Sequence, residues 1–163
     1  HEGLLLGFEQ AMTRLEESTE KYYNNGAHFL WIGERTRALD SAHVEYFRGI
    51  SNPIGIKVGP STDPEELIDI IKCLNPREEP GRMMLITRLG VDLVETRLPK
   101  IIEAVESASL SVAWSCDPMH GNIITKNDGV KTRDFSAIIS ELQSTLRTHQ
   151  IMGTVLALSL IHI

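Results

Sequence analysis

Four short apolar runs recur along the chain, and each is bounded by glycine, proline or charged residues. The runs are His28–Ile32, Ile54–Val58, Met83–Thr87 and Leu110–Ser115. Each is nearly continuous in apolar character, which is typical of a strand that is buried on both faces of a parallel sheet. The pattern therefore predicts about four parallel strands.

Longer amphipathic segments flank these runs and predict helices. The clearest is Pro64–Leu74, because Asp63 is a good N-cap and proline is favoured at the first helical position. Its expected core residues share one face and are Leu67, Ile70, Ile71 and Leu74. Further helices are predicted over Leu4–Leu15, Thr36–Arg48, Pro99–Ser107 and Asp134–Thr148. Alternating helices and strands indicate an α/β fold with a parallel sheet.

The last predicted helix carries an apolar stripe that should face the sheet. The stripe consists of Phe135, Ile138, Ile139, Leu142 and Leu146.

Charged residues follow the carboxyl ends of all four predicted strands. In chain order they are Glu34 with Arg35, Lys57, Arg88, and Asp117 with His120. In an open doubly wound sheet, only strands beside the switch point share a ligand, whereas in a closed barrel every strand end faces one mouth. The pattern therefore favours a (β/α)8 TIM barrel and predicts that Arg35, Lys57 and Arg88 converge.

Three convergent cations would repel one another unless an anion lies among them. Arginine binds carboxylate or phosphate through two parallel hydrogen bonds, and lysine acts as a point charge or a proton donor. The expected ligand is a small metabolite with two anionic groups. Taken singly, each residue has an ordinary explanation: a surface ion pair for Glu34 and Arg35, a surface position for Arg88, and a structural turn for His120.

Composition narrows the classes of function further. The chain has 163 residues and a formal net charge of −6, which argues against general binding of nucleic acid. No apolar run reaches the roughly 18 residues of a membrane span. Residues 1–15 lack the basic start of a signal peptide, and the two cysteines, Cys73 and Cys116, suit a reducing compartment. We therefore expect a cytoplasmic protein without nucleic-acid or membrane partners.

Several long motifs resemble one known family, the class II (plant-type) 3-deoxy-D-arabino-heptulosonate 7-phosphate (DAHP) synthases. The motifs are "HEGLLLGFEQAMTR", "HFLWIGERTRALDSAHVEYFRGISNPIGIKVGP", "NPREEPGRMMLITRLG", "WSCDPMHGN" and "GVKTRDF". The resemblance covers residues 1–154. It implies a TIM-barrel enzyme that condenses phosphoenolpyruvate with erythrose 4-phosphate and releases phosphate, the first step of the shikimate pathway.

The resemblance also implies roles for single residues. Glu34, Arg35, Lys57 and Arg88 match the phosphoenolpyruvate-binding positions of the family. His120 matches one ligand of a divalent metal, Mn²⁺ or Co²⁺, and Lys57 and His120 are the expected catalytic residues. The full-length parent is expected to be a homo-oligomer, and a plant protein of this kind would lie in plastids.

The sequence departs from the family in its extent. Residues 1–154 match only the central-to-C-terminal part of the catalytic barrel, so we expect an incomplete barrel that lacks the other metal ligands and is inactive alone. Residues 155–163 are predicted to be a non-native tail, with 158–163 a translated sequencing adapter; the alternative is an ordinary apolar strand. Two other functions stay open: a non-catalytic anion-binding barrel fragment, and another metal-dependent TIM-barrel aldolase-type enzyme.

Overall fold

A computed structural model describes residues 1–160 as an α/β fold around one parallel sheet. The strands of this part of the chain are β1 (Thr13–Glu16), β2 (Lys21–Asn24), β3 (Leu30–Ile32), β4 (Ile54–Val58), β5 (Met83–Thr87), β6 (Ala113–Cys116), β7 (Ile124–Thr125), β8 (Lys131–Thr132) and β9 (Leu156–Ser159). The helices are α1 (Leu6–Met12), α2 (Ala42–Gly49), α3 (Pro64–Leu74), α4 (Val94–Ser107), α5 (Pro118–Gly121) and α6 (Phe135–Met152). A 3-10 turn covers Glu34–Thr36.

The main sheet has the strand order β3-β4-β5-β6-β9, and every neighbouring pair is parallel. All five residues of β4 are buried, as expected for a strand covered on both faces. The first residues of the chain run alongside β3, where the Gly3 N–H donates to the Trp31 carbonyl at 3.0 Å. The carboxyl ends of β3 to β6 and β9 therefore lie at one edge of the sheet.

The predicted strands agree with the structure to different degrees. β4 and β5 have the predicted bounds, while β3 and β6 both begin later than predicted. The sheet has one strand more than the roughly four predicted, because β9, in the segment predicted to be a tail, adds a fifth. It pairs with β6, and the Leu160 N–H donates to the Cys116 carbonyl at 2.7 Å. Residues 161–163 of the predicted tail lie outside the described residues.

Helix α3 has the predicted bounds and the predicted buried face. The Asp63 carboxylate accepts hydrogen bonds from the N–H groups of Glu65 at 2.8 Å and Glu66 at 3.1 Å. These bonds satisfy two donors that the first turn of a helix leaves without partners. Helix α4 starts earlier than predicted, at Val94, and accommodates Pro99 within it.

The predicted inward face of α6 is wrong except at Ile138. Its buried residues are Ile138, Glu141, Thr145, Thr148 and His149. Phe135 and Leu146, two members of the predicted stripe, are 69% and 44% exposed. The helix thus presents a largely polar face to the loops and strands that it covers.

The segments around α1 and α2 also differ from the prediction. Helix α1 is shorter than predicted and is followed by an antiparallel hairpin of β1 and β2. The predicted helix Thr36–Arg48 consists of the 3-10 turn and then α2, which begins after Ser41. The Ser41 hydroxyl accepts a hydrogen bond from the Val44 N–H at 3.2 Å. Within residues 1–160, every helix is too short or too polar to cross a bilayer.

Candidate active site

A cavity of about 350 Å³ opens at the carboxyl ends of β3, β4 and β5. Its lining residues are Glu2, Trp31, Gly33, Glu34, Arg35, Lys57, Arg88, His120, Ile123 and Lys131. All five residues predicted as site residues line this cavity, so the structure brings them together. The volume suits a small metabolite, since small-molecule sites measure roughly 300–1,000 Å³.

A larger cavity of about 840 Å³ lies at the opposite edge of the sheet, beside the β1–β2 hairpin. Its lining includes Arg14, Tyr23, His28 and Asn52. We place the candidate active site in the smaller cavity for two reasons. Ligands of parallel α/β sheets bind at the carboxyl ends of the strands, and the smaller cavity gathers charged side chains from several of those ends.

Lys57 forms a buried ion pair with Asp117 at the base of the cavity. Its ammonium group donates to the Asp117 carboxylate and lies 4.8 Å from the centroid of the Trp31 ring. Burial alone would raise the pKa of Asp117, but the hydrogen bonds from Lys57 and His120 outweigh this effect and lower the pKa below its ordinary value. The carboxylate and the ring thus fix the position of the Lys57 ammonium group.

Asp117 also orients His120. Its carboxylate caps the short helix α5 and accepts a hydrogen bond from the His120 backbone N–H at 3.3 Å. Both carboxylate oxygens lie 2.9 Å from the His120 Nδ1. Because an ionised carboxylate only accepts hydrogen bonds, Nδ1 carries the proton. The Nε2 atom is therefore the one that remains for a ligand in the cavity.

Arg88 pairs with Glu34 at the rim. Glu34 lies in the 3-10 turn after β3, and Arg88 directly follows β5. The Ser61 hydroxyl donates to Glu34 at 3.0 Å. Gly59 lies so close to the Glu34 carboxylate that an added Cβ would overlap with it. The loop after β4 therefore holds Glu34, and Glu34 holds the Arg88 guanidinium group.

The two arginines that follow Glu34 have different surroundings. Arg35 is exposed and lines the cavity. Arg37 is buried behind the rim, where its Nη2 donates to the Thr62 hydroxyl at 3.0 Å. Its Nη1 lies 3.8 Å from the Glu66 carboxylate. Arg37 therefore supports the loop after β4 and does not face the cavity.

The predicted repulsion among three unneutralised cations is wrong. Lys57 and Arg88 each have an acidic partner, Asp117 and Glu34. Within residues 1–160, Arg35 and Lys131 form no ion pair closer than 4.0 Å. The positive charge that could attract an anion therefore comes mainly from these two residues.

Sequence reasoning missed some of the lining. Trp31 received no role in the sequence analysis, although it contacts the Lys57 ammonium group and lines the cavity. Glu2 and Lys131 lie in motifs that resemble the family but received no role. They reach the cavity from the first residues of the chain and from β8, two segments outside the predicted strand ends.

The described residues supply one fitting metal ligand. His120 has the carboxylate-bound ring that metal-ligating histidines commonly show. No group of three or more histidine, cysteine, aspartate or glutamate side chains within residues 1–160 is placed to hold a metal ion.

Burial raises the pKa of the Cys116 thiol to about 12, which agrees with a packed thiol.

The family model that matches the chain is described as the class-II DAHP synthetase family and covers residues 1–163. Three proteins with similar sequences are each named a phospho-2-dehydro-3-deoxyheptonate aldolase.

A phospho-2-dehydro-3-deoxyheptonate aldolase of Neurospora crassa is 53% identical over 92% of this chain and 34% of the relative. A probable chloroplastic phospho-2-dehydro-3-deoxyheptonate aldolase of Catharanthus roseus is 49% identical over 94% of this chain and 31% of the relative. A phospho-2-dehydro-3-deoxyheptonate aldolase of Mycolicibacterium smegmatis is 47% identical over 94% of this chain and 34% of the relative.

The chain thus spans about a third of the length of the curated relatives it matches. Since the family model covers the whole chain, and the motifs at the strand ends line one cavity, this protein belongs to the class-II DAHP synthetase family.

Proposed function

We propose that the chain forms part of a 3-deoxy-7-phosphoheptulonate synthase, which condenses phosphoenolpyruvate with erythrose 4-phosphate and releases phosphate in the first step of the shikimate pathway. The observation that carries the proposal is the convergence of Arg35, Lys57, Arg88 and His120 on one cavity of metabolite size. The family membership and the names of the relatives support the same reaction.

The proposal includes a complete (β/α)8 barrel in which this chain supplies consecutive strands. Five parallel strands with helices packed along them, and residues 1–3 running beside β3, support that architecture. A barrel also explains why side chains from β3, β4 and β5 and the residues after β6 share one mouth. The remaining strands would come from chain beyond the described residues.

Phosphoenolpyruvate is proposed to bind among the basic residues of the cavity. Arg88 and Arg35 would hold its carboxylate and phosphate, and Glu34 would keep the Arg88 guanidinium group in position. Lys57 would neutralise charge and orient a proton next to the enol. The ion pair with Asp117 supports this role, because it holds the ammonium group at one place.

His120 is proposed as one ligand of a divalent metal, Mn²⁺ or Co²⁺. Its fixed tautomer leaves Nε2 for the metal, and the other ligands would come from outside the described residues. When bound, the metal would polarise the aldehyde of erythrose 4-phosphate as a Lewis acid.

The proposed chemistry starts with attack of the phosphoenolpyruvate C3 on the aldehyde carbon of erythrose 4-phosphate. Water then adds to C2, and the phosphate leaves with the former enol oxygen. The residues of this chain would hold phosphoenolpyruvate so that C3 faces the second substrate. Positioning of this kind accelerates the reaction, because the two substrates no longer have to meet in the right orientation by diffusion. Lys57 would move a proton at the reacting end.

We also make proposals for the oligomeric state, the partners and the cellular location of the protein. We propose a homo-oligomer that acts on small anionic metabolites, without nucleic-acid or membrane partners. We also propose that it lies in the cytoplasm, or in plastids if its source is a plant, as the name of the Catharanthus roseus relative says of that protein.

The experiment is an assay of the complete protein for phosphate release that requires both substrates. The expected result is turnover that stops after a chelator removes divalent metal and returns when Mn²⁺ or Co²⁺ is added. Binding of phosphoenolpyruvate without turnover in the metal-loaded complete protein would instead indicate an anion-binding module. Neither binding nor turnover would leave another barrel enzyme of the aldolase type as the better explanation.

A further inference from the structure

Glu141 of α6 is a buried carboxylate in contact with two loops of the cavity rim. Its side chain is 1% exposed. Its Oε1 accepts hydrogen bonds from the backbone N–H groups of Leu89 and Gly90, both at 2.9 Å. Its Oε2 accepts from the Asn122 side-chain amide at 2.5 Å. One side chain thus binds the segment directly after Arg88 and the segment directly after α5.

Asn122 closes a second connection between the same two segments. Its side-chain oxygen accepts from the Val91 N–H at 3.0 Å, and its amide also donates to the Pro118 carbonyl at 2.8 Å. With all of its hydrogen-bonding groups in use, the Asn122 amide has one orientation. We call Glu141 and Asn122 together the rim clamp.

Two glycines allow the segments to approach the clamp. A Cβ at Gly121 would lie 2.7 Å from the Glu141 Oε2 and 2.7 Å from the Gly90 nitrogen. Gly90 has a φ of +83°, a backbone conformation that residues other than glycine rarely adopt. Close contact between the two segments thus depends on both glycines.

Burying a carboxylate costs free energy of desolvation, which an apolar side chain at a position that serves only packing would avoid. Burial raises the pKa of Glu141 even though Gly90, Asn122 and Leu89 donate hydrogen bonds to it. Arg88 directly precedes Leu89, and His120 lies two residues before Asn122. The clamp therefore acts on the backbone that carries two candidate site residues.

We propose that Glu141 is a positioning residue that fixes the separation between the Arg88 loop and the His120 helix, and thereby sets the affinity of the site for phosphoenolpyruvate. The geometric part stands on the hydrogen bonds alone. The part concerning phosphoenolpyruvate rests on the proposed function.

The test compares Glu141→Ala with Glu141→Gln in the complete protein. The glutamine oxygen can still accept from Leu89 and Gly90, while its NH₂ group faces the NH₂ group of Asn122. Thr145→Val is the matched control, because it also removes buried hydrogen bonds of α6, from the Thr145 hydroxyl to the Glu141 carbonyl at 2.8 Å and between that hydroxyl and the Cys116 thiol at 3.5 Å. Neither partner belongs to residues 88–91 or 118–122.

The first measurement is amide hydrogen exchange without ligand. Glu141→Ala should accelerate exchange in residues 88–91 and 118–122, Glu141→Gln should retain the protection at residues 89 and 90, and Thr145→Val should match the wild type in both segments. Unchanged exchange in Glu141→Ala would overturn the clamp. If that variant does not fold, Glu141→Gln and Asn122→Ala decide the question, and unchanged exchange of residues 118–122 in both would overturn it.

The second measurement is the dissociation constant for phosphoenolpyruvate by calorimetry. Glu141→Ala should raise it by about tenfold or more, since a displaced Arg88 loses a charge-assisted hydrogen bond to the ligand. Glu141→Gln should raise it by less than Glu141→Ala does, because glutamine keeps the hydrogen bonds to Leu89 and Gly90 and loses only the one to Asn122.

A purely structural role would lower the melting temperature of Glu141→Ala while the folded protein kept its affinity, and this result would overturn the positioning role. A wild-type protein that does not bind phosphoenolpyruvate would refute the proposed function, and hydrogen exchange would still decide on the clamp.

Discussion

The ammonium group of Lys57 donates a hydrogen bond to the carboxylate of Asp117, which lies 60 residues further along the chain. The two residues belong to β4 and to the end of β6, and β5 lies between those strands. Both side chains are buried, so the pair exists only when the three strands have their native order. The fold and the candidate site are therefore linked through one ion pair.

Replacing Lys57 by methionine should reduce both stability and ligand binding. The change leaves Asp117 as a buried carboxylate without its cation, and breaking a buried ion pair costs about 3–5 kcal/mol. We expect a lower free energy of unfolding in urea and, in the folded protein, loss of measurable phosphoenolpyruvate binding by calorimetry.

Lys72→Met provides the control for this change, because Lys72 is an exposed lysine of α3. It should unfold and bind like the wild type. Wild-type affinity for phosphoenolpyruvate in the Lys57→Met variant would remove Lys57 from the proposed site.

Adding a methyl group at Gly59 should displace Glu34 without altering any charge. A Cβ at this position would overlap with the Glu34 carboxylate. Because Glu34 holds Arg88, Gly59→Ala should displace Arg88 from the ligand and weaken phosphoenolpyruvate binding by about tenfold, the order of one lost charge-assisted hydrogen bond. Gly49→Ala is the matched control, since a Cβ there meets no atom within 4 Å and alanine favours the helix that contains it. Equal affinities of the two variants would contradict the proposed role of Glu34.

The buried histidine of α6 should make stability depend on pH. Burial lowers the pKa of His149, whose ring packs 5.3 Å from the Trp114 ring and pairs with the Thr154 hydroxyl. The unfolded chain then binds a proton more readily than the folded one, so stability falls as the pH drops below about 6.5, the ordinary value for histidine.

The expected slope for one such group is at most about 1.4 kcal/mol per pH unit. Urea unfolding of the complete protein measures this slope between about pH 7.5 and about pH 5.5, roughly one unit on either side of that pKa. His149→Asn should show a weaker dependence than the wild type. Identical pH profiles of the two proteins would disprove the assignment to His149.

The two cysteines should differ strongly in reactivity. Cys116 is buried and burial raises its pKa to about 12, whereas Cys73 is partly exposed. Since the thiolate is the reactive form, a maleimide should label Cys73 in the native protein and label Cys116 only after unfolding. Peptide mass mapping distinguishes the two sites, and Cys73→Ser should abolish native labelling of this segment. Labelling of native Cys116 at the rate of Cys73 would show that its environment is more open than the structure indicates.

The sequence predicts an element well where its local signals agree with its surroundings. β4, β5 and α3 have the predicted bounds because buried apolar runs and the Asp63 cap determine them locally. The β1–β2 hairpin was missed, since Leu15 and Tyr22 are about half exposed and its strands carry no apolar alternation. Helix α6 was rotated incorrectly because the prediction assumed that its most apolar stripe faces inward.

The structure shows why that assumption fails for α6. The backbone N–H groups of Leu89 and Gly90 are buried and need an acceptor. Glu141 supplies the acceptor, so a polar face lies against the rim. The ion pairs of Arg88 with Glu34 and of Lys57 with Asp117 could likewise not be predicted from the sequence, because only the order of the strands in the sheet brings these residues together. The convergence of the charged strand ends, by contrast, followed from parallel topology alone.

Strand β9 hydrogen-bonds along one side to β6, and within residues 1–160 its other side has no strand partner. Its outward N–H and C=O groups form a template that recognises extended backbone of any sequence, and Leu158 beside them is 48% exposed. Copies of this chain expressed on their own would pair with one another through the free edge of β9. The solubility of the chain should therefore fall as its concentration rises, and substitutions in the cavity should affect solubility less than the concentration does.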